Sequence, residues 1–152
     1  MITGLFGLGL RSLPALTVAS LVVILSGCNT LSGVPSIVRA EVQPATVKPG
    51  DSIRIEVEVK DKHAIVSRMQ GEVKEDPQRL FALRDDGEGQ DTKAKDGIWT
   101  LSGVIPEKAP VGTFHLVFTA YSGKKIPVPV RRDGHATPLS AEAVVTVQAA
   151  QP

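Results

Sequence analysis

The stretch Ser52–Lys60, SIRIEVEVK, alternates apolar and charged residues without a break. Ile53, Ile55, Val57 and Val59 fall on one side, and Arg54, Glu56, Glu58 and Lys60 on the other. Successive side chains of a strand point to opposite faces, so this pattern predicts a strand with one buried and one wet face. Thr113–Tyr121 repeats the pattern, with Phe114, Leu116, Phe118 and Ala120 set against His115, Val117, Thr119 and Tyr121. Ser140–Gln148 offers Ala141, Ala143, Val145 and Val147 on one side. Past the N-terminal segment, no window of ten or more residues repeats apolar positions at helical spacing.

Weaker strands are expected over Ile37–Val42, Ala64–Val73, Arg79–Arg84 and Ile98–Val104. Turn chemistry separates them at Lys48-Pro49-Gly50-Asp51, at Glu75-Asp76-Pro77 and from Pro106 to Gly112. About seven short strands with regular turns predict an all-β fold, an immunoglobulin-like antiparallel β-sandwich over residues 37–148. The segment Gly123–Pro138 breaks the rhythm. Pro127 and Pro129 cannot donate ladder hydrogen bonds, so an edge strand or a long hairpin loop is expected there. Its Lys124, Lys125, Arg131 and Arg132 make it the most basic part of the domain.

The N-terminal 27 residues read as a secretory signal: Arg11, then the apolar run SLPALTVASLVVILSG. That run is short for a membrane span, which needs about 20 apolar residues. It ends in Leu25-Ser26-Gly27-Cys28, which resembles the lipobox of bacterial lipoproteins. The resemblance implies cleavage before Cys28 and attachment of diacylglycerol, with an N-acyl chain, to that residue. Cys28 is the only cysteine, so no intrachain disulfide can form. Two or more acyl chains, at about 0.8 kcal/mol per buried CH₂, hold a protein on a membrane almost permanently. Residues 28–36 then form a lipidated cysteine and polar tether. The eight residues Asn29–Ser36 reach about 28 Å at most. Residues 149–152 are expected as a disordered tail. In a Gram-negative bacterium, the resemblance and Asn29, in place of aspartate after the cysteine, favour the outer membrane.

Removing residues 1–27 from the 152 leaves 125, enough for one domain with a stable core. Arg11 is the only charge removed, so the 17 basic and 16 acidic residues become a balanced 16 and 16. That balance argues against nucleic-acid binding, whose phosphate contacts need a basic excess.

Leu83–Thr100, LRDDGEGQDTKAKDGIWT, concentrates acidic residues in one loop. Asp86, Glu88, Asp91 and Asp96 could converge on a hard cation such as Ca²⁺, which wants six to eight oxygens. Their spacing is not that of an EF-hand, and Lys93 and Lys95 sit among them. The alternative is plain turn architecture. Asp-Gly pairs at 86–87 and 96–97 form turns because Gly accepts positive φ and Asp bonds nearby amides.

Leu83, Asp85, Asp86, Gly87, Gly89, Asp91, Asp96, Gly97, Ile98, Trp99 and Thr100, followed by Gly112, Thr113, Phe114 and Leu116, resemble a bacterial Ig-like domain of the choice-of-anchor type. The chain departs from that pattern at Gln90, where the family has glycine, and at Lys95, where it has a small residue. The resemblance implies a fold and an extracytoplasmic address, with no enzymatic activity.

Other chemistry is sparse in the sequence. His63, His115 and His135 lack zinc-ligand spacing, and there is no G-x-S-x-G nucleophile motif. Trp99 and Tyr121 could stack on sugar rings or pack in the core, and the basic segment could contact headgroups or simply be solvated. Together these features predict a non-enzymatic, lipid-anchored envelope module, without cofactor, that binds another envelope protein. A calcium-stabilised surface domain and a glycan-binding accessory module are the alternatives. Candidate contacts are Trp99, Tyr121, Lys124, Lys125, Arg131 and Arg132.

Overall fold

The computed structural model describes residues 33–149. The expected signal segment 1–27, Cys28, the first part of the tether and the end of the tail lie outside the described residues. The described chain is all-β: β1 (Ser36–Gln43), β2 (Thr46–Val47), β3 (Ser52–Lys60), β4 (Val66–Val73), β5 (Asp76–Leu83), β6 (Ile98–Val104), β7 (Gly112–Ser122), β8 (Pro129–Arg132), β9 (His135–Pro138) and β10 (Ser140–Val147).

One sheet has the order β1-β3-β6, a second has β2-β10-β7-β4-β5, and β8-β9 pair alone. The alternation in β3 does what the pattern requires. Ile55, Val57 and Val59 are buried, while Arg54, Glu56 and Glu58 turn outward. The outward face carries a cross-strand ion ladder. Arg39 of β1 reaches Glu56 at 3.7 Å and Glu58 at 3.6 Å, and Arg54 meets Glu56 at 2.7 Å. Opposite charges facing across strands favour this register.

The apolar faces of both large sheets feed one core. Val42, Ile55, Val57 and Val59 come from the first sheet, and Met69, Leu83, Leu116, Phe118, Ala120, Ala143 and Val145 from the second. Phe118 and Met69 are the largest side chains with no exposure, so truncating Phe118 to Ala costs about 3–5 kcal/mol. Phe81 stands edge-on to Phe118 with ring centroids 6.3 Å apart. It lies over Gly71, where any Cβ would run into its ring.

The chain crosses between the sheets on both sides of this core. β1 pairs with β3 in the first sheet, and just past Pro44 β2 runs parallel to β10 in the second. On the other side, Arg84 continues from β5 and exchanges backbone hydrogen bonds with Thr100 of β6 at 2.8–2.9 Å.

About seven strands are expected from the sequence, and the described residues form ten. The expected β3 and β6 match residue for residue, and the ends of the others move by three residues at most. The additions are the two-residue β2 and the hairpin β8–β9, which occupies the segment read as an edge strand or long loop. Pro77, expected in a break, lies inside β5. That strand is the edge of its sheet, where a missing N–H costs little. At the end of the expected tether, Pro35 is already buried and Gly33 lies against the His63 ring.

Candidate functional site

Antiparallel pairing decides which loops share an end of the molecule. Ser36 of β1 lies opposite Lys60 of β3, Glu58 opposite Ile98 of β6, and Val66 of β4 opposite Ser122 of β7. Four segments therefore gather at the end where the polypeptide comes in: residues 33–35, the loop 61–65, the aspartate loop 84–97, and the turn after β7 that leads to β8–β9. The turns Lys48–Asp51 and Lys74–Glu75 and the segment Pro106–Val111 lie at the opposite end.

The aspartate loop is held by its own carboxylates. Asp85 accepts the amides of Asp96 at 3.1 Å and Gly97 at 3.2 Å. Asp91, only 5% exposed, accepts the amides of Gly87 at 2.6 Å and Lys93 at 3.3 Å. Asp86 accepts from Glu88 at 3.0 Å, and Asp96 from Ile98 at 2.9 Å. Gly87, Gly89 and Gly97 all take positive φ, as does Lys95 at 59°. At Gly97 any Cβ would also stand 2.5 Å from the Val59 carbonyl oxygen.

Of the four proposed cation ligands, Asp91 and Asp96 come together, and their third partner is Asp85. One oxygen from each lies within 4.8 Å of the others. Asp86 and Glu88 turn away to Arg84, at 2.7 and 3.3 Å. The reason is the strand pairing: Arg84 is fixed against Thr100, so its guanidinium collects the exposed carboxylates beside it. Asp85 sits at the root of the loop, and its reach across eleven and twelve residues to amides 96 and 97 had no signature in a linear reading. Burial pushes the Asp85 carboxyl up, against the pull of the Gly97 and Asp96 amides. The Gly87 amide holds Asp91 below the usual carboxylate value, with burial opposing and Lys93 assisting.

Beside this loop is an open cleft of about 940 Å³ lined by Val34, Asp61, Ala64, Asp85, Asp96 and Trp99, among others. Trp99 pairs with the fully buried Val57 and packs half-buried against the core, with part of its surface on the cleft. Tyr121 lies under the Arg68 guanidinium, 5.4 Å from the ring centroid. Lys124 and Lys125 are exposed in the turn after β7, and Arg131 and Arg132 are exposed on β8. The candidate contacts thus lie on separate segments and do not converge on one point.

A polar cluster near the opposite end joins β7, β10 and the β4–β5 turn. Glu75 accepts both the His115 amide at 2.9 Å and its Nδ1 at 2.6 Å, while Nε2 stands 3.9 Å from Glu142. The His115 ring, then its amide, draws the Glu75 carboxyl below its ordinary value. His115 lies on the half-exposed face of β7, as the alternation predicts, and its partners come from distant segments that periodicity does not link.

No protein-family model matches the chain, and no curated protein matches it. Solved structures do. The Pseudomonas fluorescens alkylpurine DNA glycosylase AlkC, bound to DNA containing an abasic site analog, aligns at TM-score 0.46 with 12% identity over 76% of this chain. The alignment spans 31% of that protein's length. A Niemann-Pick type C2 protein from the Japanese carpenter ant aligns at TM-score 0.44 with 7% identity, over 76% of this chain and 93% of that one.

Proposed function

We propose that the chain is a lipid-anchored, non-enzymatic module of the cell envelope: an immunoglobulin-like sandwich held by acylated Cys28 that binds or scaffolds another envelope protein. The carrying observation is the polarity of the body. The polypeptide comes in at one end, at Gly33, five residues from Cys28, so an acyl anchor lies within about 18 Å of that end. The opposite end, with Val104 and Val111 more than 60% exposed, is turned away from the anchor. The immunoglobulin-like reading is supported by the strand order and by β1 and β2, which pair in different sheets across Pro44.

Two measurements test it. Mass spectrometry of the mature protein is expected to find an N-terminal peptide starting at diacylglycerol-modified Cys28, and an unmodified thiol there would overturn the anchor. Photo-crosslinking from positions 104 and 111 in intact cells is expected to trap one defined envelope protein. Lipid adducts alone, or none, would overturn the scaffold role.

A second reading, a calcium-stabilised loop, is favoured by the convergence of Asp85, Asp91 and Asp96. A ligand that binds only the native state must raise its melting midpoint. Equal midpoints in millimolar calcium and in chelator would end that reading.

A further inference from the structure

The end where the polypeptide comes in carries three exposed aliphatic side chains on three separate segments. Val34, before β1, is 49% exposed, Ile65 on the loop into β4 is 39%, and Ile126 after β7 is 57%. Val66 of β4 pairs with Ser122 of β7, and the Ser122 amide donates to the Ile126 carbonyl, so Ile65 and Ile126 both lie beside the end of β7. Lys62 shares the first loop, and Lys124 and Lys125 precede Ile126. Among the described residues no carboxylate lies within 4.0 Å of any of these three lysines. The exposure of Ile126 is built in. Its carbonyl accepts the Ser122 amide at 2.9 Å, and the Lys125 amide donates to the Ser122 carbonyl at 2.8 Å, which closes the turn.

Aliphatic tips flanked by lysines are poorly placed in water and well placed in a bilayer interface. There the apolar ends reach the acyl boundary while the ammonium groups meet headgroup phosphates. On the Ile65 loop itself, Asp61 is turned inward onto the amides of Val66 at 2.6 Å and His63 at 3.2 Å. The acidic cluster of this end stands on the loop between β5 and β6. Asp86 and Glu88 are paired with Arg84, and Asp85 and Asp91 are turned onto backbone amides. We infer that the loops bearing Val34, Ile65 and Ile126 dock on an anionic lipid surface, with Lys62, Lys124 and Lys125 on its phosphates. The inference rests on the anchored reading above, which supplies the surface.

The test removes that dependence. A chain starting at Asn29 keeps the core, because the sixteen buried apolar side chains among the described residues lie between Val42 and Val147. It has no cysteine, so Ile126→Cys, Ile65→Cys or Val111→Cys gives a single thiol for an environment-sensitive dye. An N-terminal histidine tag holds the chain on vesicles carrying nickel-chelating lipid, whatever happens at Cys28. With phosphatidylglycerol present, dyes at 126 and 65 are expected to shift to the blue and to be quenched by bromo-acyl lipid, and the dye at 111 to stay aqueous. High salt reverses the shift. K124E/K125E displaces the docking equilibrium by at least about 25-fold, since each cation near an anionic surface contributes about fivefold. Aqueous dyes at 126 and 65 on anionic vesicles would overturn the inference, as would equal insertion on pure phosphatidylcholine or an equal response at 111. An unmodified Cys28 would sink the anchor and leave these results intact.

Discussion

The aspartate loop and the Lys124–Lys125 turn stand at the same end of the body and use their polar groups in opposite ways. In the loop, the carboxylates of Asp85, Asp86, Asp91 and Asp96 each accept at least one backbone amide. In the turn, the main chain closes on itself, with one further bond from the Ser122 hydroxyl, and leaves the lysines and Ile126 facing out. The loop is conspicuous in the sequence because its chemistry builds its own backbone. The turn is inconspicuous because its backbone needs little side-chain help. Density of reactive residues therefore measures local architecture as readily as it measures function. Free valence is the better guide to a contact surface.

The largest effect expected from this contrast is at glycine. Gly97→Ala places a Cβ against the Val59 carbonyl at positive φ, and Gly123→Ala enters open space. The first change is expected to cost about 2–4 kcal/mol in urea unfolding, and the second to stay within about 0.5 kcal/mol. Equal costs would mean that the loop is no more constrained than the turn.

The next largest effect lies within the loop. Asp91→Ala removes the acceptor of the Gly87 and Lys93 amides from a buried position, whereas Asp86→Ala removes one local bond and a surface ion pair. Thermal melting is expected to drop clearly for the first and only slightly for the second, since an unmet buried amide costs more than an exposed pair. The reverse order would show that Asp91 does not hold the loop together.

Much of this is legible in the sequence, and the limits have physical causes. Strands with one wet face announce themselves, so β3 can be placed to the residue and β7 and β10 to within one. β2 spans only Thr46–Val47, too short to show a period. β8 and β9 expose most of their residues on both faces, so no alternation marks them. In the aspartate loop, the turn role of the Asp-Gly pairs could be read from local preference. That Asp85 replaces Asp86 in the carboxylate cluster could not, because it depends on where β5 delivers the chain relative to β6. The apolar tips at Val34, Ile65 and Ile126 were equally hidden, since only strand pairing places three isolated residues at one end.

Acid titration sharpens the comparison inside the loop. Asp91 has a depressed carboxyl, so its contribution is present above the ordinary value of 3.8 and is lost as pH falls through its lower folded value. Asp85 is raised, so its ionised form is disfavoured in the folded state, and its contribution grows as pH falls through that raised value. Melting followed from neutral pH downward is therefore expected to decline less steeply below about pH 4 in Asp91→Asn. In Asp85→Asn it is expected to decline more steeply on the way there. Parallel curves for the two variants would mean that their carboxyls do not differ in this way.

The smallest expected effect is the most discriminating. If the lysine turn is free surface, Lys124→Ala with Lys125→Ala and Ile126→Ser should leave unfolding within about 0.5 kcal/mol of the parent. No bond of the turn uses those side chains, because the closing contacts run from the Ser122 and Lys125 amides and the Ser122 hydroxyl. Lys125 takes φ 59°, a conformation that alanine tolerates at a modest cost, so a slight loss is allowed and a large one is not. A loss as large as that of Gly97→Ala would place these side chains among the structural residues. Neutral stability with an altered response to anionic vesicles would instead separate surface from scaffold within a few residues of chain.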